Sequence, residues 1–318
     1  MKQNYIIGGG LSGLIFQFYH PEFTIITPDI GGLFKSAYLA IIHDTSETRK
    51  FLTDLGYENI EKLHRKSYIG YYTQGWIRDQ LSPQLNLLII QKKMTPWDSA
   101  LNKEFKPESL DMSTSRTVNY FNTLDVQPHE VIEKLKSKAG EILEGSVIAI
   151  SDYAIRVKYS DNAIGAFSYD SLISTIPAPI FWRIYGNENK KFPCTPITNV
   201  IVDSCPELFH DKYDVVYYDD SVPWSRITHL HDSYAIEFTG NLTDAQIATV
   251  LSGVKIKTVV RVPYGRISSV ADNVPPNDRI TFMGRFSQWK YGIVMEHTVK
   301  QALEFQIKPK VDGPELLE

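Results

Sequence analysis

Three glycines with the spacing Gly8-x-Gly10-x-x-Gly13 directly follow a short apolar run, Tyr5-Ile6-Ile7. A buried strand, a glycine turn and a helix are the parts of a dinucleotide-binding unit. The first glycine permits the tight turn, the second lets the backbone approach a pyrophosphate, and the third allows close packing of helix on strand. An apolar segment at 14–19 and a second strand at 23–26 complete a βαβ pattern. The sequence therefore predicts a Rossmann unit that binds phosphates at a helix N-terminus.

Composition restricts the remaining choices. The 318 residues are 43% hydrophobic and 22% charged, which favours one large composite domain or two domains over disorder. The net charge of −4 gives no whole-chain basic field, so it does not support nucleic acid as a partner. The two cysteines, Cys194 and Cys205, form neither a CxxC pair nor a zinc-type spacing. With no signal-peptide pattern and no bilayer-length apolar run, we expect a cytoplasmic protein without a membrane partner.

Four stretches of the chain occur in the order found in one flavoprotein superfamily. They are residues 6–14 with the pair Gly31-Gly32, residues 40–56, residues 147–179, and residues 280–291. On these stretches the chain resembles the superfamily of FAD-dependent amine oxidases, protoporphyrinogen oxidases and UDP-galactopyranose mutases. The resemblance implies an α/β fold, in which a Rossmann-type FAD-binding domain is joined to a smaller α+β substrate domain. It also implies an enzyme that binds FAD non-covalently.

The resemblance also implies which residues contact the cofactor. These are Gly8, Gly10, Leu11, Ser12, Gly13, Thr27, Asp29, Gly31, Gly32, Val147, Thr175, Pro177, Gly284, Arg285 and Met295. In the superfamily the second strand usually ends in a Glu that binds the adenosine ribose. This sequence has Ile26-Thr27-Pro28-Asp29 there, which leaves Asp29 and Thr27 as the two alternatives for that role.

The expected domains are discontinuous. The FAD-binding domain takes 1–45, 126–180 and 255–310, and the substrate domain takes 46–125 and 181–254. Hydrophobic periodicity predicts helices over 45–64, 129–139, 243–252 and 294–305. It predicts strands at 146–150, 154–159, 172–176, 197–203, 213–218, 225–230 and 234–239, the last four as an antiparallel set. Residues 66–92 alternate like strands, and 95–125 are polar and irregular, as in a loop.

The candidate catalytic residues are His43, Arg226, Lys290 and Tyr291. Arg226 could bind a substrate carboxylate or phosphate through two parallel hydrogen bonds, although an exposed strand Arg is the simpler interpretation. Lys290 and Tyr291 could face the flavin or the substrate, whereas a solvated lysine between aromatics is the alternative for Lys290. By the resemblance His43 lies near the flavin, and a structural histidine is the alternative. His229 and His231 share a strand face, but no third ligand stands nearby, so we expect no metal.

Three enzymatic functions follow from the resemblance. The first is an FAD-dependent oxidoreductase that oxidises an amine or amino-acid-like C–N bond of a small molecule. The second is an isomerase of nucleoside-diphosphate sugars, which needs cations such as Arg226, Arg261 and Arg266 for the diphosphate. The third modifies amino groups on a macromolecule such as a hypermodified nucleic-acid base. A non-catalytic FAD-binding protein is the last alternative, because fold does not fix function.

Overall fold

The computed structural model describes residues 3–35, 41–73, 76–78, 89, 92, 120–204, 206, 209, 212–267, 273–290 and 292–307. Most of the predicted loop at 95–125, and Tyr291, lie outside these residues. The strands are β1 (Asn4–Gly9), β2 (Thr24–Ile30), β3 (Ile42–His43), β4 (His64–Thr73), β5 (Trp76–Arg78), β6 (Tyr120–Leu124), β7 (Ile142–Glu144), β8 (Ser146–Ile150), β9 (Ala154–Lys158), β10 (Ile164–Ser168), β11 (Ser171–Ser174), β12 (Cys194–Val202), β13 (Val215–Tyr218), β14 (Arg226–Leu230), β15 (Ser233–Thr239), β16 (Ile256–Ile267) and β17 (Ile280–Phe282).

The α-helices are α1 (Leu11–Tyr19), α2 (Ser46–Asp54), α3 (Pro128–Ser137), α4 (Ala178–Ile184), α5 (Asp244–Val250), α6 (Arg285–Gln288) and α7 (Met295–Glu304), with 3-10 turns at Gly32–Lys35 and Ile60–Leu63. Among the described helices, none has the length and apolarity needed to cross a lipid bilayer.

The chain divides into two compact units, each discontinuous in sequence. The first unit is Met1–Gly32, Lys134–Lys191 and Asp272–Glu318, and the second is Leu33–Glu133 and Phe192–Ala271.

The first unit contains a five-stranded parallel sheet in the order β17-β11-β1-β2-β7. Its central strands contain buried apolar residues such as Ile6, Ile25 and Ile173, as expected for a parallel sheet covered on both faces. Helix α1 connects β1 to β2, and α7 packs against α1, with His20 Nε2 lying 2.7 Å from the carbonyl oxygen of Ala302. A three-stranded antiparallel sheet, β10-β9-β8, belongs to the same unit. The predicted βαβ unit, the strand near 172–176 and the helix near 294–305 are confirmed.

The second unit contains a nine-stranded sheet. Eight strands follow the order β16-β12-β15-β14-β13-β4-β6-β3, and β5 pairs with β4. Strands β12, β15, β14 and β13 are antiparallel as predicted, whereas β13 pairs with β4 in parallel. One face carries an apolar cluster that includes Val216, Ile236, Phe238 and Ile247 of α5. Helix α5 begins with the predicted cap, Thr243, whose side chain accepts a hydrogen bond from the backbone N–H of Gln246.

The observed division differs from the expected one. Residues 33–45, 126–133 and 255–271 were expected in the first domain and belong to the second unit, whereas 181–191 belong to the first. The reason for the largest difference is that β16 pairs with β12 over most of its length, which fixes it in the nine-stranded sheet. The second unit was also expected to be the smaller, but it contains more of the chain.

Candidate dinucleotide site

The first and third glycines of the turn have no room for a side chain. Gly8 has φ of +105°, and a Cβ there would lie 2.6 Å from Thr175 Oγ1. Thr175 is fixed beneath the turn because its hydroxyl lies 3.0 Å from the carbonyl oxygen of Ile7 and 2.9 Å from that of Gly8. A Cβ on Gly13 would overlap the carbonyl oxygen of Gly8. Both glycines therefore allow the close approach of α1 to β1 that their spacing predicts.

The middle glycine stands in different surroundings. Gly10 is the N-cap of α1 with φ −76° and ψ −176°, and no side chain among the described residues caps this helix. A Cβ on Gly10 would meet no described atom within 4 Å. The backbone N–H groups of Leu11 and Ser12, in the first turn of α1, belong to the part of a helix that has no intrahelical acceptor. The turn thus presents open space in front of helix N–H groups, where anions bind favourably.

The second glycine pair folds back onto the first turn. The backbone N–H of Gly31 donates to the carbonyl oxygen of Gly9 at 2.8 Å. Gly31 and Gly32 have φ of +94° and +55°, and a Cβ on Gly32 would lie 3.3 Å from Gly10 Cα. The pair therefore needs glycine for its backbone conformation and for its close approach to the turn.

The last strand of the parallel sheet ends beside the first turn of α1. Gly284 follows β17 with φ of +83°, and a Cβ there would overlap the side chain of Ser12. The segment after β17 is also bound to β11, because the Ser287 hydroxyl donates to the carbonyl oxygen of Ser174 at 2.6 Å. The Arg285 guanidinium lies 5.5 Å from the ring centre of Phe286. Ser12 and Gly284, which are more than 270 residues apart in sequence, thus meet at the C-terminal ends of the parallel strands, as the resemblance implies for this motif.

The other candidate cofactor residues also belong to the first unit. Pro177 is the N-cap of α4, directly after β11, and Met295 is the first residue of α7. Val147 pairs with Val157 in the three-stranded sheet. Thr27 is buried in β2 and Asp29 is exposed near its end. Their roles toward a cofactor stay predictions.

Arg226, the candidate substrate-binding residue, is held by a buried carboxylate that sequence reasoning missed. Its Nη2 donates to Glu237 Oε2 at 2.6 Å, and Arg266 donates to Oε1 of the same carboxylate. Glu237 is 1% exposed and lies opposite both Arg226 and Asn199 in the sheet. A charged residue within the apolar run Tyr234-Ala-Ile-Glu237-Phe is the one sequence signal that could have indicated it.

The remaining catalytic candidates lie in different units. His43, in the second unit, is in β3, and its ring packs edge-on against Phe121 at 5.7 Å. Lys290, in the first unit, is exposed, and its backbone N–H donates to the carbonyl oxygen of Arg285 at 3.1 Å. The structure describes nothing of Tyr291.

A second polar cluster lies directly after His43. Asp44 accepts hydrogen bonds from Arg49 Nη2 at 2.8 Å and lies 2.5 Å from His64 Nδ1. The hydrogen bonds from Arg49, and to a lesser degree that of His64, hold the pKa of the Asp44 carboxyl below its ordinary value, although burial opposes them. This cluster joins the start of α2 to β4.

The histidine pair considered for a metal is built into other contacts. The His229 ring stacks on Tyr234 with ring centres 4.3 Å apart, and His231 lies 3.5 Å from Asp125. Within the described ranges, no group of three or more His, Cys, Asp or Glu side chains could hold a metal ion.

Comparisons with known proteins relate the chain to others by fold alone. No protein-family model matches it, and no curated protein matches its sequence. A crystal structure of reduced UDP-galactopyranose mutase is similar with a TM-score of 0.61 at 14% identity, over 95% of this chain and 94% of that one. The p-nitrophenol 4-monooxygenase of Pseudomonas putida DLL-E4 is similar with a TM-score of 0.59 at 13% identity, over 95% and 78%.

A third similar structure is the myxobacterial chondrochloren halogenase, described as a variant of FAD-dependent halogenases. Its TM-score is 0.54 at 8% identity, over 95% of this chain and 71% of that one. These likenesses establish an α/β fold shared with flavoproteins, which agrees with the fold class predicted from the sequence.

Proposed function

We propose that this protein is an enzyme that binds FAD non-covalently in the first unit. The observation that carries the proposal is the glycine turn. A side chain at Gly8 or Gly13 would clash with neighbouring atoms, whereas Gly10 faces open space before α1. A pyrophosphate needs this combination of close backbone approach and helix N–H groups. The shared fold with structures that include FAD-dependent halogenases supports FAD as the dinucleotide.

Several residues of the unit fit the parts of such a cofactor. The N–H groups at Leu11 and Ser12 would bind the pyrophosphate, with Gly284 beside them. FAD supplies the transfer of a hydride or of electrons when bound, and the protein orients the substrate and excludes competing reactions.

The reaction we propose is the oxidation of an amine or amino-acid-like C–N bond in a small molecule. The sequence resemblance to amine oxidases motivates this choice. Arg226 would bind a substrate carboxylate, since arginine presents two parallel donors to a carboxylate. Glu237 would act as a positioning residue, because its buried carboxylate holds one Nη atom of Arg226 in place.

An isomerase of nucleoside-diphosphate sugars is the second candidate. Its support is the similarity in fold to UDP-galactopyranose mutase, which extends over 95% of this chain and 94% of that one. The three cations considered for a diphosphate argue in the other direction. Arg226 and Arg266 both bind Glu237, and Arg261 Nη2 donates to Asp244 Oδ1 at 2.5 Å. A diphosphate that used all three arginines would have to compete with both carboxylates, whereas a substrate carboxylate at Arg226 would compete with Glu237 alone.

An absorption spectrum of the purified protein, repeated after addition of FAD to any apoprotein, tests the proposal first. We expect flavin bands that stay with the protein on gel filtration and enter the supernatant after acid precipitation, as non-covalent binding requires. Anaerobic addition of a panel of amines and amino acids should then bleach these bands. Flavin that no amine bleaches, with sugar-ring exchange seen only after dithionite reduction, would favour the isomerase. A colourless protein that cannot take up FAD would refute both.

A further inference from the structure

Strands β4 and β6 form an antiparallel ribbon whose two faces differ in character. One face carries the buried Ser67 and Thr123, whose hydroxyl oxygens lie 2.9 Å apart. Because side chains alternate between the faces of a strand, the residues next to these point the other way. We call this second surface the outer face, and its exposed residues are His64, Lys66, Tyr68, Tyr120 and Asn122.

The two tyrosines of the outer face lie directly opposite each other. Tyr68 pairs with Tyr120 across the ribbon, and their ring centres are 6.3 Å apart with the ring planes inclined by 52°. Tyr68 is 40% exposed and Tyr120 is 38% exposed, although aromatic rings gain more than most side chains from burial. Two neighbouring rings that stay in contact with water are typical of a surface that binds a partner.

The charge of the outer face is positive. Lys66 is exposed, and its Nζ lies 4.8 Å from the ring centre of Tyr120. None of the five exposed residues of this face is acidic, and Asp214, which binds the backbone N–H of Tyr68, also accepts a hydrogen bond from Arg65. A negatively charged partner is therefore favoured at this face, because the charge of a local surface can differ from the net charge of the chain.

The combination of lysine, asparagine and exposed tyrosines favours nucleic acid over a protein as the partner. Protein interfaces are depleted of lysine, whereas lysine and asparagine side chains commonly bind the phosphates and sugars of nucleic acids. Aromatic rings on the open face of a sheet stack on unpaired bases, and every base has a ring face that can stack. In a duplex the bases stack on each other, so only a single strand offers them to the tyrosines.

We infer that the outer face of the β4–β6 ribbon binds single-stranded nucleic acid. The rings of Tyr68 and Tyr120 stack on bases. Lys66 lies beside Tyr120 and opposite Asn122 in the ribbon, so it is placed to bind the phosphate of a nucleotide stacked there. This binding uses none of the residues proposed to hold FAD or its substrate, so it is independent of the proposed function.

Fluorescence anisotropy with labelled oligonucleotides tests the inference on the full chain. The main probe would be single-stranded oligothymidylate of about 12 nucleotides, a length within the range of known single-strand sites. Its duplex with oligodeoxyadenylate hides the base faces, and polyglutamate is a polyanion without bases. The test variants are Tyr68→Leu, Tyr120→Leu and Lys66→Ala, and Tyr68→Phe is the conservative variant that keeps the ring.

Matched control variants come from the first unit. Tyr153 is 62% exposed, with the Arg279 guanidinium 4.8 Å from its ring centre, and Lys158 is an exposed lysine on a strand. Tyr153→Leu and Lys158→Ala therefore remove the same chemical groups from a different surface. Titrations with and without FAD separate the outer face from the glycine turn, whose N–H groups also suit a phosphate. Thermal unfolding of each variant checks that it is folded.

We expect wild type to prefer the single strand over the duplex and over polyglutamate, with or without FAD. Each Tyr→Leu variant should bind about 5- to 150-fold more weakly, the range for losing one stacked base, and Tyr68→Phe should match wild type. Lys66→Ala should reduce the slope of log K against log salt concentration by about 0.7, the value for one phosphate of a single strand. The two control variants should bind as wild type does.

Three results would overturn the inference. The first is a wild-type protein that does not bind the single strand, and the second is equal binding of polyglutamate, which would indicate a surface for acidic proteins. The third is an affinity that folded Tyr→Leu variants retain or that the control variants lose to the same extent, because the strand would then bind elsewhere. None of these results changes the flavin spectrum, so the proposed function is tested separately.

Discussion

Replacing Gly10 with alanine should separate folding from cofactor binding. A Cβ at this position meets no described atom within 4 Å, and φ −76° with ψ −176° is an ordinary conformation for alanine. Loss of glycine from the N-cap costs about 0.5–1 kcal/mol, while the less flexible unfolded chain returns about 0.4–1 kcal/mol. The free energy of unfolding of the apoprotein should therefore change by less than about 0.5 kcal/mol.

Binding should respond very differently. The new methyl group would occupy the space where a phosphate approaches the first turn of α1, so at least one N–H-to-phosphate hydrogen bond is lost. A hydrogen bond to a charged group contributes about 1.5–3 kcal/mol, which corresponds to a Kd for FAD about 10- to 150-fold higher.

Gly8→Ala is the contrasting variant. Its Cβ would lie 2.6 Å from Thr175 Oγ1 at a φ of +105°, and backbone strain and overpacking together cost about 2–6 kcal/mol. Thermal unfolding of the apoproteins and fluorescence titration with FAD would measure both quantities for the two variants. The reasoning is refuted if Gly10→Ala binds FAD as tightly as wild type, or if its unfolding temperature falls as far as that of Gly8→Ala.

Two further substitutions probe the second unit. Glu237→Gln should destabilise the protein by about 3–5 kcal/mol in urea unfolding, because Arg226 and the buried Arg266 lose their charged partner. A loss of stability below about 1 kcal/mol would show that the ion pairs of Glu237 contribute little. Asp44→Asn should lower the unfolding temperature at pH 6–7. Arg49 lowers the pKa of the Asp44 carboxyl in the folded protein. The stabilising effect of the Asp44 carboxylate is therefore fully present above the unfolded-state pKa of about 3.9 and is lost as the pH falls through the lower folded-state pKa. The difference from wild type should therefore shrink in thermal unfolding measured toward pH 3, and a constant difference would contradict this assignment.

Local pattern was sufficient to predict the β1–α1–β2 part of the fold. The glycine spacing determined the β1–α1–β2 unit, since only glycine tolerates the conformation at Gly8 and the contact at Gly13. The strand at 172–176 was predicted from its hydrophobic pattern, and the motif near Gly284 from its similarity to a known order of segments. These predictions succeeded because each depends on a few adjacent residues with strict steric requirements.

The domain boundaries could not be predicted in the same way. Residues 256–267 have a strand-forming pattern, but periodicity does not say which sheet a strand joins. Pairing of β16 with β12 decides this, and that pairing joins residues about 60 positions apart in the chain. The parallel pairing of β13 with β4 was missed for the same reason.

The polar details of the candidate site depend on register. The register of β2 shifts at Thr27-Pro28-Asp29, where two residues are added to one strand. Pro28 indicates an interruption there, because proline within an interior strand marks a bulge, but it does not specify how many residues are added. Likewise, Arg226 meets Glu237 because β14 and β15 pair in one register, and a shift by one residue would place their side chains on opposite faces. Such contacts become visible only when the strands are aligned in space.

The arrangement of the parallel sheet also sets the order in which the protein can fold during synthesis. Strand β1 pairs with β11, and β11 pairs with β17. The middle of the sheet therefore cannot form until the ribosome has added strands that lie about 170 and 280 residues after β1. Such long-range contact order slows folding, because chain entropy is lost before the contacts form. Until residues 280–304 have left the ribosome, the glycine turn lacks both Gly284 and the packing of α7 on α1. A nascent chain that stops before this point therefore exposes apolar sheet edges, which makes it a target for chaperones and for aggregation.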